Sequence, residues 1–99
     1  GKLEVVEKQE LILEELCGRN RGKRTYSITP TDTFDLDSVS VSAIAKEKGF
    51  LVENLGDLGL SMRTNELSVN FMKRGSAVVV GSKDESDAIT LYKTLLSKN

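Results

Sequence analysis

Glu66-Leu67-Ser68-Val69-Asn70-Phe71-Met72-Lys73-Arg74-Gly75-Ser76-Ala77-Val78-Val79-Val80-Gly81-Ser82 is the stretch whose reading decides the fold. Leu67, Val69 and Phe71 alternate with polar neighbours, the period of a half-buried strand. Lys73-Arg74-Gly75 supplies a turn. The run Ala77 to Val80 is apolar on both faces, which predicts a central strand, covered on both sides or flanked by neighbours. Ser82-Lys83-Asp84-Glu85 reads as a capping box, with the serine oxygen accepting from the N–H three residues on and Glu85 reaching back. The helix that follows sets Ala88, Tyr92, Leu95 and Leu96 on one stripe, with Ile89 and Leu91 at its margins. A hairpin feeding a helix is a packed scaffold and offers no obvious place for catalysis.

Upstream of this stretch the pattern continues in short elements. Thr25 to Thr29 reads as a strand with Tyr26 and Ile28 on one face, stopped or held to an edge by Pro30. Leu36 to Lys48 suits a helix entered at Asp35, Asp37 or Ser38 and closed at Gly49, with Lys46 and Lys48 at its negative end. Phe50 to Glu53 is a strand, Asn54 to Gly59 a glycine-broken turn, and Leu58, Leu60 and Met62 alternate as a returning strand. Thr64-Asn65-Glu66 turns that strand into Leu67 to Met72. At the N-terminus Val5, Val6, Ile12, Leu13 and Leu16 fall near one side of a helical wheel, and the composition favours helix over about residues 7–16. The short runs Leu3 to Val6 and Leu11 to Leu13 also suit strands. Cys17-Gly18-Arg19-Asn20-Arg21-Gly22-Lys23-Arg24 reads as an exposed loop or linker, because two glycines and four cations do not suit a buried element. The expected fold class is α+β: a mainly antiparallel sheet of about five strands with two helices on one face and an extra N-terminal helix. The chain divides into a connecting segment at 1–16, a basic loop at 17–24 and a compact domain at 25–99. There is no internal repeat.

Composition narrows the function. Ninety-nine residues make one domain that can fold without staples. Fourteen basic residues oppose fifteen acidic ones, a net charge of −1 that disfavours a general nucleic-acid binder. The absence of histidine removes the usual neutral-pH proton shuttle and the commonest metal ligand. A single cysteine forms no internal disulfide and fits a reducing compartment. No apolar run approaches the roughly 20 residues of a membrane-spanning helix, and no signal-peptide pattern opens the chain. The start, Gly1-Lys2, reads as part of a longer protein.

Several residues invite a chemical role. Cys17 sits among cations that would lower a thiol's pKa, or it is one zinc ligand completed from outside; an ordinary thiol is the simpler reading. Arg19, Arg21, Lys23 and Arg24 form the strongest charge cluster, either a solvated tether or a contact for an acidic partner or phosphate. Only Tyr26 lies close to it, so a base-stacking platform is not indicated. Met62 and Arg63, near a hairpin tip, are a further partner-facing pair, against the plainer reading of a strand residue and its neighbour. Gly56, Gly59 and Gly81 lack phosphate-loop spacing and are turn glycines. Asp84, Glu85 and Asp87 suit a helix start better than a cation site, and Asp35 and Asp37 a helix entry better than an acid–base pair. Tyr92 and Phe71 belong to the core.

Taken together, Cys17-Gly18-Arg19, the strand ending at Pro30, Phe34-Asp35-Leu36, Leu60-Ser61-Met62-Arg63, Leu67 to Phe71, Arg74 to Asp84 and Ala88 to Tyr92 carry a resemblance. Over residues 17–97, and most specifically 71–92, the chain resembles the C-terminal extension of prokaryotic ubiquitin-activating-type adenylyltransferases, which serve thiamine, molybdopterin and sulfur-carrier pathways. The resemblance implies a cytoplasmic parent enzyme that adenylates a small ubiquitin-like sulfur-carrier protein, with ATP and magnesium held in an upstream domain. This stretch would then be a non-catalytic accessory domain with no cofactor of its own. It would engage the carrier or pack on the parent adenylation domain and its dimer mate. Relatives carry a Cys-x-x-Cys zinc pair before Gly-Arg; here Glu14 takes the first position, only Cys17 matches, and no zinc is expected. The alternatives are a nucleic-acid-binding module using the basic loop 19–24 and a small ligand-binding domain.

Overall fold

The computed structural model describes residues 10–20 and 23–97, with the side chains of 10–16 and 24–97. Among the described residues the elements run β1 (Leu11–Asn20), β2 (Lys23–Pro30), α1 (Ser38–Glu47), β3 (Leu51–Asn54), a 3₁₀ turn (Gly56–Leu58), β4 (Gly59–Arg63), β5 (Ser68–Met72), β6 (Ala77–Val80) and α2 (Glu85–Leu96). The strands form one antiparallel sheet in the order β1-β2-β6-β5-β4-β3. The α+β class stands, but the sheet has six strands rather than about five.

The sixth strand is where the N-terminal helix was expected. Leu11–Asn20 pairs with β2, placing Leu11 and Leu13 opposite Pro30 and Ile28 at the margin of the core. That long-range pairing outweighs the local helix preference of Glu and Leu. Residues 7–9 of the expected helix lie outside the described residues. The expected basic loop is likewise a ribbon: Cys17–Asn20 continue β1, and Lys23 and Arg24 open β2. Glycines and cations predict exposure but not conformation, and pairing of two strands satisfies backbone groups that a loop would leave to water. Its register shifts between Leu16 and Asn20, where Cys17 and Gly18 stand.

Register sorts every strand residue onto one of two faces, since directly opposed residues share a face. Tyr26, Ile28, Leu60, Met62, Val69, Phe71, Ala77 and Val79 are buried on one side. There they meet Val41 and Ala45 of α1 and Ala88, Tyr92 and Leu95 of α2. Both helices therefore cover the same face. β6 lies between β2 and β5, as its apolar run predicts.

The helix starts differ in one respect from expectation. Asp37 caps α1, accepting from Ser40 N at 3.2 Å. At α2 the cap is Asp84, accepting from Asp87 N at 2.9 Å, and not Ser82. Aspartate caps a helix as well as serine does, and Asp87 returns its own carboxylate to Lys83 N at 3.3 Å. Ser82 is buried, and its Oγ has no hydrogen-bond partner among the described residues.

The β5–β6 turn is fastened from two directions. Phe34 N and Leu36 N donate to the carbonyls of Arg74 and Lys73 at 3.2 and 2.8 Å. From the other side the buried Tyr92 hydroxyl donates to Gly75 O at 2.6 Å. Burial pushes the Tyr92 phenol up from 10.0 to about 12. The unfolded chain releases this proton near pH 10, whereas the native state holds it to about 12. This contribution is thus intact below pH 10 and is lost as pH rises through 12, a change of roughly 2–3 kcal/mol. Tyr92→Phe should cost about 1–3 kcal/mol at pH 8 by stranding the Gly75 carbonyl. Urea melts across pH 8–12 should show the stability gap between the two proteins narrowing above pH 10. A constant gap would contradict this account.

Candidate functional site

With both helices on one side, the opposite face of the sheet has no covering helix or strand among the described residues, although Thr25 of β2, on this face, is only 5% exposed. Across its middle run Glu14, Ser27, Val78, Asn70, Ser61 and Glu53, one from each strand. Alongside them run Leu16, Thr25, Val80, Ser68, Arg63 and Leu51. The centre is small and polar or β-branched, with Val78 and Val80 half-buried. Larger apolar side chains stand at its margins: Ile12 is 53% exposed, Leu16 42%, Met72 40% and Leu51 67%. Ile12 and Leu16 share one face of β1, whereas Met72 and Leu51 stand apart on β5 and β3, and a contiguous exposed apolar patch is the kind of surface that binds partners.

Both edge strands keep backbone groups free among the described residues. At β1, Thr31 N donates to Glu10 O at 3.0 Å, and Pro30, opposite Leu11, has no N–H to give. Hydrogen-bonded pairs alternate in an antiparallel ladder, so the N–H and C=O of Leu11, Leu13 and Glu15 face outward. At β3, Leu55 N donates to Gly59 O at 2.9 Å. The same alternation turns the backbone groups of Val52 and Asn54 outward.

The sequence-derived site residues whose side chains are described, Arg24, Met62 and Arg63, do not converge. Arg24 shares the helix-side register of Tyr26, and its Nη1 lies 3.5 Å from the Tyr26 hydroxyl, a weak bond. That bond, followed by the nearby charges of Tyr26, Glu15 and Asp84, raises the Arg24 pKa further above its ordinary value. Arg63 is exposed on the opposite, open face, across from Ser68. Met62 is a correction: it is fully buried between the sheet and the helices, opposite Val69, and reaches no partner. Arg19 and Lys23 lie in β1 and β2, where their side chains are outside the described set, as is Arg21 altogether. Cys17 stands in β1, and its side chain is likewise outside that set.

The acidic candidates hold backbone. Asp37, Asp84 and Asp87 accept from N–H groups at helix starts, while Asp35 and Glu85 are exposed. No cluster of three or more His, Cys, Asp or Glu placed to hold a metal ion occurs among the described residues. No described helix is long and apolar enough to cross a membrane.

One feature escaped sequence reasoning. Gly49, Leu51, Arg63, Thr64 and Asn65 line a cavity of about 250 Å³ at the N-terminal end of β3. Two separate turns supply its walls, so no local motif announces it. Compared with protein families, curated proteins and solved structures, the chain matches none.

Proposed function

We propose that this chain is a non-catalytic interaction domain that receives another protein on the β1–β2–β6 part of its open sheet face. Following the resemblance drawn from its sequence, the partner is a small ubiquitin-like sulfur carrier, and the domain belongs to the adenylyltransferase that activates it. ATP and magnesium would bind in the adenylation domain of that parent.

The observation that carries this reading is that, among the described residues, helices cover one face of the sheet only. Ile12 and Leu16 stand exposed beside half-buried Val78 and Val80, next to an edge whose backbone donors and acceptors point outward. Surfaces of this kind bind proteins through side-chain burial and strand addition. The net charge of −1 disfavours the nucleic-acid alternative through the basic segment 19–24.

The test is calorimetric titration of the chain with the carrier proteins of the thiamine and molybdopterin pathways. Binding should be saturable, and Val78→Glu should weaken it at least about tenfold, roughly 1.4 kcal/mol, while circular dichroism stays unchanged. No binding to any carrier, or binding indifferent to Val78→Glu, would refute the assignment. ATP–pyrophosphate exchange by the chain alone is expected to be nil; robust exchange would refute its non-catalytic character.

A further inference from the structure

We propose that the cavity at the start of β3 is a binding site for the C-terminal carboxylate of an extended peptide, which adds as an antiparallel strand to the β3 edge. The site is separate from the surface assigned above and does not depend on the carrier reading.

Three observations converge on it. First, Arg63 is the only charged residue lining the cavity, and no ion pair or hydrogen bond engages it among the described residues. Its neighbours add neutral donors. Thr64 Oγ1 already accepts from Glu66 N at 3.2 Å and Leu67 N at 3.0 Å, which leaves its O–H to donate outward. Asn65 is exposed and brings an amide. A guanidinium with a hydroxyl and an amide beside it is a donor set for a planar oxyanion. Lys46 in the last turn of α1, with Lys48 just after it, offsets the negative helix end that adjoins Gly49.

Second, the cavity adjoins a usable edge. Val52 and Asn54 turn their backbone N–H and C=O away from β4, so a peptide strand can bond to both. β3 runs away from the cavity, so an antiparallel peptide ends at it. The peptide's backbone lies two strand spacings, about 10 Å, from β4, so its terminal carboxylate meets Arg63 by passing the start of β3 into the cavity that both strands line. Third, Leu51 is 67% exposed on the same face as Arg63 and walls the cavity, a contact for an aliphatic side chain near the peptide's end. An anion alone would use Arg63, Thr64 and Asn65 and leave the β3 edge idle. A peptide terminus uses both.

The probe is a pool of N-acetylated pentapeptides rich in Val, Ile and Thr, added to the ¹⁵N-labelled chain. The same pool with C-terminal amides, sodium acetate and inorganic phosphate are added in parallel. The free-acid pool should shift the amide resonances of Val52, Asn54, Thr64 and Asn65 together and saturably. Amidation should weaken binding at least about tenfold, and Arg63→Gln should do the same, the difference expected for a lost charge-assisted pair. Arg63 is exposed, so the variant keeps its fold and the comparison stays readable. Equal binding of the amidated pool would overturn carboxylate recognition. Shifts by acetate or phosphate matching those of the peptides at Thr64 and Asn65, with Val52 and Asn54 unmoved, would reduce the site to an adventitious ion only. An absence of shifts with the free-acid pool would overturn the proposal outright.

Discussion

Gly59→Ala will remove more than about 4 kcal/mol of stability, a large part of what a domain of this size has. Gly59 opens β4 at φ +124 and ψ −144, a backbone region open in practice to glycine alone. A side chain there costs about 1–3 kcal/mol in strain before any contact is counted. A Cβ would also collide with the carbonyl oxygen of Phe71, which is backbone on the neighbouring strand and cannot swing aside. Relieving the collision means parting β4 from β5, where Leu60 faces Phe71 and Met62 faces Val69 in the core. The total exceeds about 4 kcal/mol, against roughly 5–15 kcal/mol for a whole domain. Gly49→Ala is the control. Its φ is also positive, at +90, but a Cβ there meets nothing within 4 Å, so it should cost only about 1–2 kcal/mol. Urea denaturation of the two variants decides the matter. A Gly59→Ala protein melting within about 1 kcal/mol of the parent would show that the close approach of β4 to β5 is not as described.

Phe71→Ala should be the most damaging truncation in the core, at about 3–5 kcal/mol. Phe71 is 1% exposed and lies in β5, opposite Leu60 on one side and Ala77 on the other. Its ring stacks on Tyr92 with centroids 5.6 Å apart and planes at 25°, a contact worth about 0.5–1.5 kcal/mol beyond area burial. Loss of the ring therefore loosens Tyr92, the residue that holds the β5–β6 turn through Gly75. Thermal melts should fall by more than about 12 °C, given roughly 4–8 °C per kcal/mol in a domain of this size. Phe71→Leu, which keeps most of the volume, should recover much of the loss. A drop of less than about 4 °C for Phe71→Ala would mean that the site collapses around the void.

How much of this was readable in advance depends on whether the deciding contact is local. Residues 67–82 announced a hairpin and a helix because alternation, turn and cap all lie within a few residues of one another. Even there the cap moved from Ser82 to Asp84, since both residue types satisfy the same orphan N–H groups. β1 was misread because Leu11-Ile12-Leu13 followed by Glu14-Glu15-Leu16 fits either period. Its conformation comes from β2, itself held by β6, about fifty residues further along. Met62 illustrates a second limit. Alternation shows that Leu60 and Met62 share a face but not which face the helices will cover; the register of Met62 with Val69 decides that. The basic cluster shows a third limit. The side chains of Arg19, Arg21 and Lys23 lie outside the described residues, and charge density alone does not say which face a cation takes, as Arg24 on the helix side and Arg63 on the open side illustrate. The cavity at β3 joins two turns and was not legible at all.

The seam between β2 and β6 sets the order in which the molecule can assemble. Every pairing from β3 to β6 joins strands that are neighbours along the chain, so that meander needs only short closures. Thr25 must wait for Val80 and Tyr26 for Val79, across a span that costs more entropy to close. Until the N-terminal ribbon arrives, β6 is a bare border ending in Val78-Val79-Val80, open to any strand that reaches it first. A second molecule's β2 presents the same register. At high concentration, exchange of ribbons between molecules therefore competes with closure within one, through the bonds that complete the monomer.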